Sequence, residues 1–150
     1  MTQEKELKEL TAPCGIYCGA CVLYRAMRDS TIREKVAISM GLAIEQAQCL
    51  GCRAEKGNMV TMQGQVCESY DCISAKGLDF CYECDDFPCL KLAPCADRAT
   101  EIPHNTKIYS LMLIKNKGLK AAAEDSENRI RRYFRGKKPR AGGDIQMSNF

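Results

Sequence analysis

The feature that most constrains this chain is its cysteine content, eleven cysteines in 150 residues. All of them lie between Cys14 and Cys95, and the 55 residues that follow contain none. The N-terminal sequence MTQEKELKEL is charged and lacks the apolar stretch of a secretory signal, which predicts a cytoplasmic protein. Structural disulfides are rare in that reducing compartment, and an odd number of thiols cannot pair completely. We therefore expect these thiols to serve in metal ligation or redox chemistry.

Most of the cysteines occur as closely spaced pairs. Two intervening residues let both sulfurs of a tight turn bind one ion. A single CxxC pair is a weak signal, because thioredoxin-like redox sites share it, but three pairs in one short chain predict metal binding. The CxxC pairs are Cys18/Cys21, Cys49/Cys52 and Cys81/Cys84, and a wider pair is Cys67/Cys72.

The first ten cysteines fall into two groups of five, and each group can supply one four-thiolate site. Four thiolates with no open position are typical of structural zinc, so we predict two zinc ions. Cys14 and Cys89 are substitute ligands, and the preferred interpretation is that they are small buried side chains or extra ligands. The alternative hypothesis is that Cys89 is the most reactive thiol, because Pro88 favours a helix start there. The predicted ligands are Cys18, Cys21, Cys49 and Cys52 for one ion, and Cys67, Cys72, Cys81 and Cys84 for the other.

The alternative is a redox or iron–sulfur protein that uses the surplus thiols, since iron–sulfur clusters also take four cysteine ligands. The run Cys14-x3-Cys18-x2-Cys21 has the spacing of radical S-adenosylmethionine enzymes, but 150 residues cannot build their large barrel. An enzyme would need an open metal position or a base, and the sequence shows neither clearly. His104 is the single histidine and is a minor candidate for a ligand or base. We therefore predict a zinc-binding structural or interaction module. The sequence does not identify its partner, for which another protein is the candidate.

The apolar composition favours a small, irregular, mostly helical domain that metal helps to stabilise. Leu, Ile, Val and Phe number only 29, and there is no Trp. The longest charge-free apolar run has nine residues, too few to span a membrane. We expect an N-terminal helix in 1–12, a cysteine-rich metal-binding region in 13–95, a C-terminal helical hairpin in 96–135 and a disordered tail in 136–150.

Local signals place several helix ends. Thr31 with Glu34 three residues later is typical of a capping box, and Gly41 of a helix stop. We expect a helix over residues 67–76 that Gly77 closes. We expect another that begins at Pro88, with Asp85 and Asp86 as caps. The C-terminal hairpin begins at Asn105 or Thr106 and breaks at Gly118, with a second helix over 119–135.

A basic segment lies near the C-terminus, where Lys or Arg occupies seven of the twelve positions from 129 to 140. Cations interleaved with Tyr133 and Phe134 would suit single-stranded nucleic acid. We prefer a solvated helix end, because two zinc sites of eight thiolates would bring the net charge from +3 to about −1. Nucleic-acid binding is therefore not expected.

Three segments together resemble a known family. They are CGIYCGAC at 14–21, CLGCR at 49–53, and Cys67-x4-Cys72 followed by KGLDFCYECDDFPC at 76–89. These motifs resemble a prokaryotic cysteine-rich family, domain-of-unknown-function family 3795, over about residues 12 to 130. Ten of the eleven cysteines match the pattern, whereas Cys95 does not and is a weak ligand candidate. The resemblance implies a metal-binding cytoplasmic protein and assigns no activity.

Overall fold

The computed structural model describes residues 2–92 and 106–135, and in these ranges the chain is helical and contains no strand. Short 3-10 turns connect the helices, and an isolated bridge joins Thr11 to Tyr17. None of the described helices combines the length and the apolar composition that crossing a bilayer requires. The helices are α1 (Gln3–Glu9), α2 (Val22–Arg25), α3 (Ser30–Met40), α4 (Glu68–Lys76) and α5 (Thr106–Arg135). The prediction of a small, mostly helical fold is confirmed.

A cap at Thr31 would start helix α3 at residue 32, but the helix begins two residues earlier, at Ser30. The side chain of Asp29 is the cap, and it accepts a hydrogen bond from the backbone N–H of Ile32 at 3.1 Å. Gly41 ends the helix in the left-handed conformation with φ 63°, as predicted. Val36 lies in the core, whereas Met40, one turn later, is exposed.

Helix α4 follows Cys67 and ends at Gly77, which is also left-handed. The helix expected to begin at Pro88 is wrong, because that stretch contains only a 3-10 turn over Leu90–Leu92. Asp86, expected to cap it, instead pairs with Lys76 at 2.7 Å. A single 3-10 turn has no significant dipole. The hypothesis of a reactive Cys89, which depended on a helix that begins at Pro88, therefore loses its support.

Helix α5 breaks at Gly118, whose φ of 85° and ψ of 171° are not helical. Arg129 in its second part donates to the carbonyl of Thr106 at 3.4 Å and to Ser110 Oγ at 3.0 Å. Its guanidinium also lies 4.9 Å from the ring centroid of Tyr109. The two parts of α5 are therefore in contact with each other.

Two hydrophobic clusters form the core, and cysteines belong to both. The larger cluster surrounds Leu111, which is 0% exposed, and contains Phe80 and Leu92. The smaller cluster gathers Leu23 and Val36 with neighbouring alanines. Helix α5 packs on α1 and on the two 3-10 turns that carry CxxC pairs. Five core positions are thiols: Cys14, Cys18, Cys52 and Cys81 in the larger cluster and Cys49 in the smaller.

Candidate metal centre

Two of the three CxxC pairs have the same backbone structure. Each pair spans a 3-10 turn, Cys18–Ala20 or Cys81–Glu83, and the second cysteine caps it. The N–H of Cys21 donates to the Cys18 carbonyl at 2.9 Å, and that of Cys84 to the Cys81 carbonyl at 3.2 Å. Side chains three residues apart lie on the same side of a 3-10 turn. This turn therefore directs both thiols of a pair to one side.

The third pair, Cys49/Cys52, turns at Gly51 and lies against the first pair. Gly51 has a φ of 101°, which strongly favours glycine. Its N–H donates to Cys49 Sγ at 3.3 Å, and the N–H of Cys52 donates to Cys18 Sγ at 3.5 Å. A Cβ on Gly51 would lie 3.6 Å from the Cβ of Cys18. The turn thus brings the two pairs together and directs N–H donors to their sulfurs.

Burial is the main electrostatic influence on these thiols. It raises the pKa of Cys18, and the nearby Cys21 adds to the rise. Burial also raises the pKa of Cys49 to about 12, with Glu55 and Cys18 adding to it. The pKa of Cys52 is raised by burial and then by Cys14, Cys18 and Cys67. Cys18 and Cys52 are thus each within electrostatic range of several other thiols.

Four further cysteines line one cavity of about 200 Å³. One lies in α4, two belong to the CxxC pair at the 3-10 turn Cys81–Glu83, and one follows Pro88. Burial raises the pKa of Cys81 to about 12, and Cys14 and the other three cysteines of this cavity add to the rise. These four thiols, the cavity cysteines, are Cys72, Cys81, Cys84 and Cys89.

A lysine that the sequence analysis missed donates to one of the cavity cysteines. Lys76 Nζ lies 2.9 Å from Cys84 Sγ and 2.7 Å from Asp86 Oδ2. Its hydrogen bonds to Asp86 and Cys84 raise the pKa of Lys76, and the hydrogen bond from Lys76 lowers that of Asp86. This ammonium places a positive charge beside the Cys84 sulfur. The available signal was the position of Lys76 at the end of a helix followed by glycine, five residues before the CxxC pair.

The structure groups the predicted ligands differently from the sequence at one position. In the first set, Cys18 shares a turn with Cys21 and Cys49 shares a turn with Cys52, and the N–H of Cys52 lies 3.5 Å from Cys18 Sγ. In the second set Cys89 lies with the cavity cysteines, whereas Cys67 is linked to Cys52 by two backbone hydrogen bonds through Gly57. Cys67 and Cys72 are five residues apart at the start of α4, so they point about 140° apart around the helix axis. Cys14 is near both Cys52 and Cys81, and Cys95 and His104 lie outside the described residues.

None of the ten cysteines in residues 2–92 and 106–135 is in a disulfide. Within the same ranges, no group of three or more Cys, His, Asp or Glu side chains is arranged to hold a metal ion. The ligand sets and the zinc ions therefore stay predictions.

The described fold and its thiols define a small helical protein with a cysteine-rich core. Residues 10–94 match the model of a family described as protein of unknown function (DUF3795), and the chain belongs to that family. The resemblance drawn from the sequence motifs is therefore confirmed. The matched range contains Cys14 to Cys89 and ends one residue before Cys95. Comparisons with curated proteins and with solved structures found no match.

Proposed function

We propose that this protein binds zinc through cysteine thiolates and that the bound metal organises a structural or interaction module. The observation that carries the proposal is the lining of one cavity of about 200 Å³ by four cysteines. Four thiolates complete the tetrahedral shell of Zn²⁺, with Zn–S distances of about 2.3 Å. The cavity cysteines would need to turn about their Cα–Cβ bonds to reach a common centre. Cys89 takes the place given to Cys67 by the sequence.

The charges around the cavity suit a thiolate site. One Zn²⁺ with four thiolates carries two negative charges, and cations nearby offset this excess. Lys76 and Lys91 both line the cavity, and Lys76 already donates to Cys84. Ligand sulfurs held by donors outside the metal shell are typical of structural metal sites.

Metal binding would also supply the stability that the apolar core lacks. The largest fully buried side chains in the described residues are Leu92, Leu111 and Ser110, a modest set for a chain of this length. A structural zinc can contribute on the order of 10 kcal/mol to folding, comparable to the whole net stability of a domain. The C-terminal helical hairpin would then pack on a region that metal holds in place.

The test begins with protein purified without oxygen, analysed for zinc, iron and acid-labile sulfide and examined by visible spectroscopy. We expect colourless zinc protein, whereas brown protein with iron and sulfide would favour the iron–sulfur alternative. Cys84→Ser should remove about one equivalent of zinc, because it deletes one of the four cavity ligands.

Ser69→Ala is the matched control for that variant. Ser69 lines the same cavity and donates to the carbonyl of Lys91 at 2.9 Å, but offers no thiol. This variant should keep its full zinc content. Metal-free protein that unfolds cooperatively with every thiol reduced would show the proposal to be wrong.

A further inference from the structure

Lys76 and Cys84 hold an amine and a thiol in contact beside the cavity. We propose that hydrogen peroxide oxidises Cys84 and that Lys76 then captures the oxidised sulfur, which gives a sulfenamide bond between Cys84 Sγ and Lys76 Nζ. This reversible modification goes beyond the proposed function, because it needs no bound metal. Where zinc occupies the cavity as proposed, the link would remove one of its four ligands.

The two reacting atoms are already neighbours. Lys76 Nζ lies 2.9 Å from Cys84 Sγ. Asp86 Oδ2 accepts from Lys76 Nζ at 2.7 Å and from Cys84 Sγ at 3.7 Å, so this carboxylate holds the nitrogen beside the sulfur. A reaction between groups that are held in contact is effectively intramolecular and is much faster than the same reaction with a free amine.

The backbone on both sides of the contact is anchored in the core. Gly77 ends α4 directly after Lys76, in the left-handed conformation with φ 66°. The Glu83 carboxylate, next to Cys84 in the chain, accepts from the backbone N–H of Phe80 at 3.2 Å. Ile73 in α4 is 3% exposed and Phe80 is 4% exposed, and both belong to the larger hydrophobic cluster. The fold therefore keeps the amine and the thiol within reach of each other.

A small oxidant can reach this thiol from solvent. Cys84 is partly exposed, whereas Cys81 in the same CxxC pair is buried. The side chains of Lys76 and Asp86 are 39% and 74% exposed. Exposure is one of the properties that decide which cysteine peroxide oxidises. We therefore expect peroxide to oxidise Cys84 before Cys81.

The chemistry balances with one equivalent of hydrogen peroxide. The Cys84 sulfur attacks one peroxide oxygen and the O–O bond breaks, so that Cys84 becomes a sulfenic acid and one water leaves. The Lys76 ammonium then gives a proton to the sulfenic hydroxyl group, and the resulting amine attacks the sulfur. The S–O bond breaks, a second water leaves, and the nitrogen releases one more proton to solvent.

This second step has a precedent in general thiol chemistry and is reversible. Sulfenic acids condense with a backbone nitrogen to a sulfenamide, and a lysine amine is a stronger nucleophile than a backbone amide. Two molecules of a thiol reverse the link. They return the Cys84 thiol and the Lys76 amine and become a disulfide themselves.

The test is tryptic peptide mapping of the full chain, as purified, after one equivalent of hydrogen peroxide. Trypsin cleaves after Lys56, Lys76 and Lys91, so residues 57–91 normally give two peptides. A sulfenamide blocks cleavage after Lys76, and we expect one peptide over 57–91 that lacks two hydrogen atoms. Dithiothreitol should restore both the cleavage and the mass.

Two results would overturn the proposal. One is complete cleavage after Lys76 in the peroxide-treated protein with no loss of hydrogen. The other is a disulfide between two cavity cysteines, which also lacks two hydrogen atoms but leaves the bond after Lys76 open to trypsin. The zinc content of the untreated sample tests the proposed function separately, so the two ideas can fail independently.

Lys76→Arg is the matched variant, because it keeps a positive charge and a trypsin site at position 76 but replaces the amine by a guanidinium that stays protonated. It should form no link, and dimedone should instead trap the sulfenic acid at Cys84. Lys91→Arg changes another cation of the same cavity and should form the link as the unaltered protein does. Blocked cleavage after position 76 that persists in Lys76→Arg would show that the link does not involve Lys76.

Discussion

Replacing Arg53 by methionine should destabilise the zinc-loaded protein by about 3.5 kcal/mol, because this side chain joins three segments that each lead to a cysteine. Its Nε donates to the carbonyls of Lys8 at 2.9 Å and Thr11 at 2.8 Å. Its second terminal nitrogen donates to the carbonyl of Asp79 at 2.7 Å. The guanidinium carbon also lies 5.0 Å from the ring centroid of Phe80.

The magnitude follows from these contacts. A hydrogen bond from a charged donor contributes about 1.5 to 3 kcal/mol, and the lower value applies because Arg53 is half-buried. Two donating N–H groups then give about 3 kcal/mol, and the ring contact adds about 0.5 kcal/mol. Arg53→Lys should lose about 2 kcal/mol, since one ammonium cannot reproduce the planar fork that reaches both sides.

The assay is urea unfolding followed by circular dichroism at a fixed concentration of free zinc, together with the rate of maleimide labelling of Cys81. Arg33→Met is the matched control, because Arg33 donates in the same way to the carbonyls of Ala26 and Met27, both at 2.9 Å. These acceptors are at most seven residues away, so the control should lose stability without exposing Cys81. A loss below about 1 kcal/mol for Arg53→Met, or equal labelling of Cys81 in both variants, would refute the reasoning.

Four further predictions concern the core, a helix cap, the metal and the basic segment. Leu111→Ala should cost about 3 to 4 kcal/mol in urea unfolding, since Leu111 is 0% exposed, whereas Met112→Ala at a 38% exposed position should cost under about 1 kcal/mol. Asp29→Ala should cost about 1 kcal/mol by removing the α3 cap, and Asp29→Asn should restore most of it. Chelation of zinc should abolish the cooperative thermal transition in calorimetry, and an unchanged transition would count against coupled folding and binding. Fluorescence anisotropy should show no submicromolar binding to DNA or RNA at physiological salt, because two zinc sites of eight thiolates would bring the net charge from +3 to about −1 and Arg129, the first cation of the segment, is buried and paired with Asp125 at 3.2 Å.

Helix ends were predictable where a single residue decides the backbone conformation. Gly41 and Gly77 close their helices in the left-handed region, and Gly118 breaks α5 with positive φ. The start of α3 was missed because both Asp29 and Thr31 are suitable caps, and tertiary contacts choose between them. Arg33 reaches back to α2 from a helix that begins at Ser30.

The thiol pairs were predictable, but their grouping depended on the tertiary structure. The CxxC spacing predicts that the two sulfurs of one turn point to the same side. It does not predict which turns contact each other in the fold. The proximity of Cys18 to Cys52 arises from a fold that connects residues 34 positions apart. Helix geometry did contain one unused signal, since residues 67 and 72 face different sides of α4. The sequence analysis missed Lys76 and Arg53. In a sequence, a charged residue that contacts a thiol motif looks the same as a charged residue that is exposed to solvent.

A buried cysteine can be a small apolar core residue, and burial alone says nothing about metal. Two features of these thiols do not follow from that role. Backbone N–H groups point at Cys49 Sγ and Cys18 Sγ, and the ammonium of Lys76 lies 2.9 Å from Cys84 Sγ. The two backbone N–H donors favour the thiolate forms of Cys18 and Cys49, and they oppose part of the rise in pKa that burial causes. Burial raises the pKa of Cys49 to about 12, so this thiol is protonated at neutral pH unless a stronger cation lies close to the sulfur. A divalent metal ion bound by several of these sulfurs meets that requirement, which is why we propose metal binding rather than simple packing for this core.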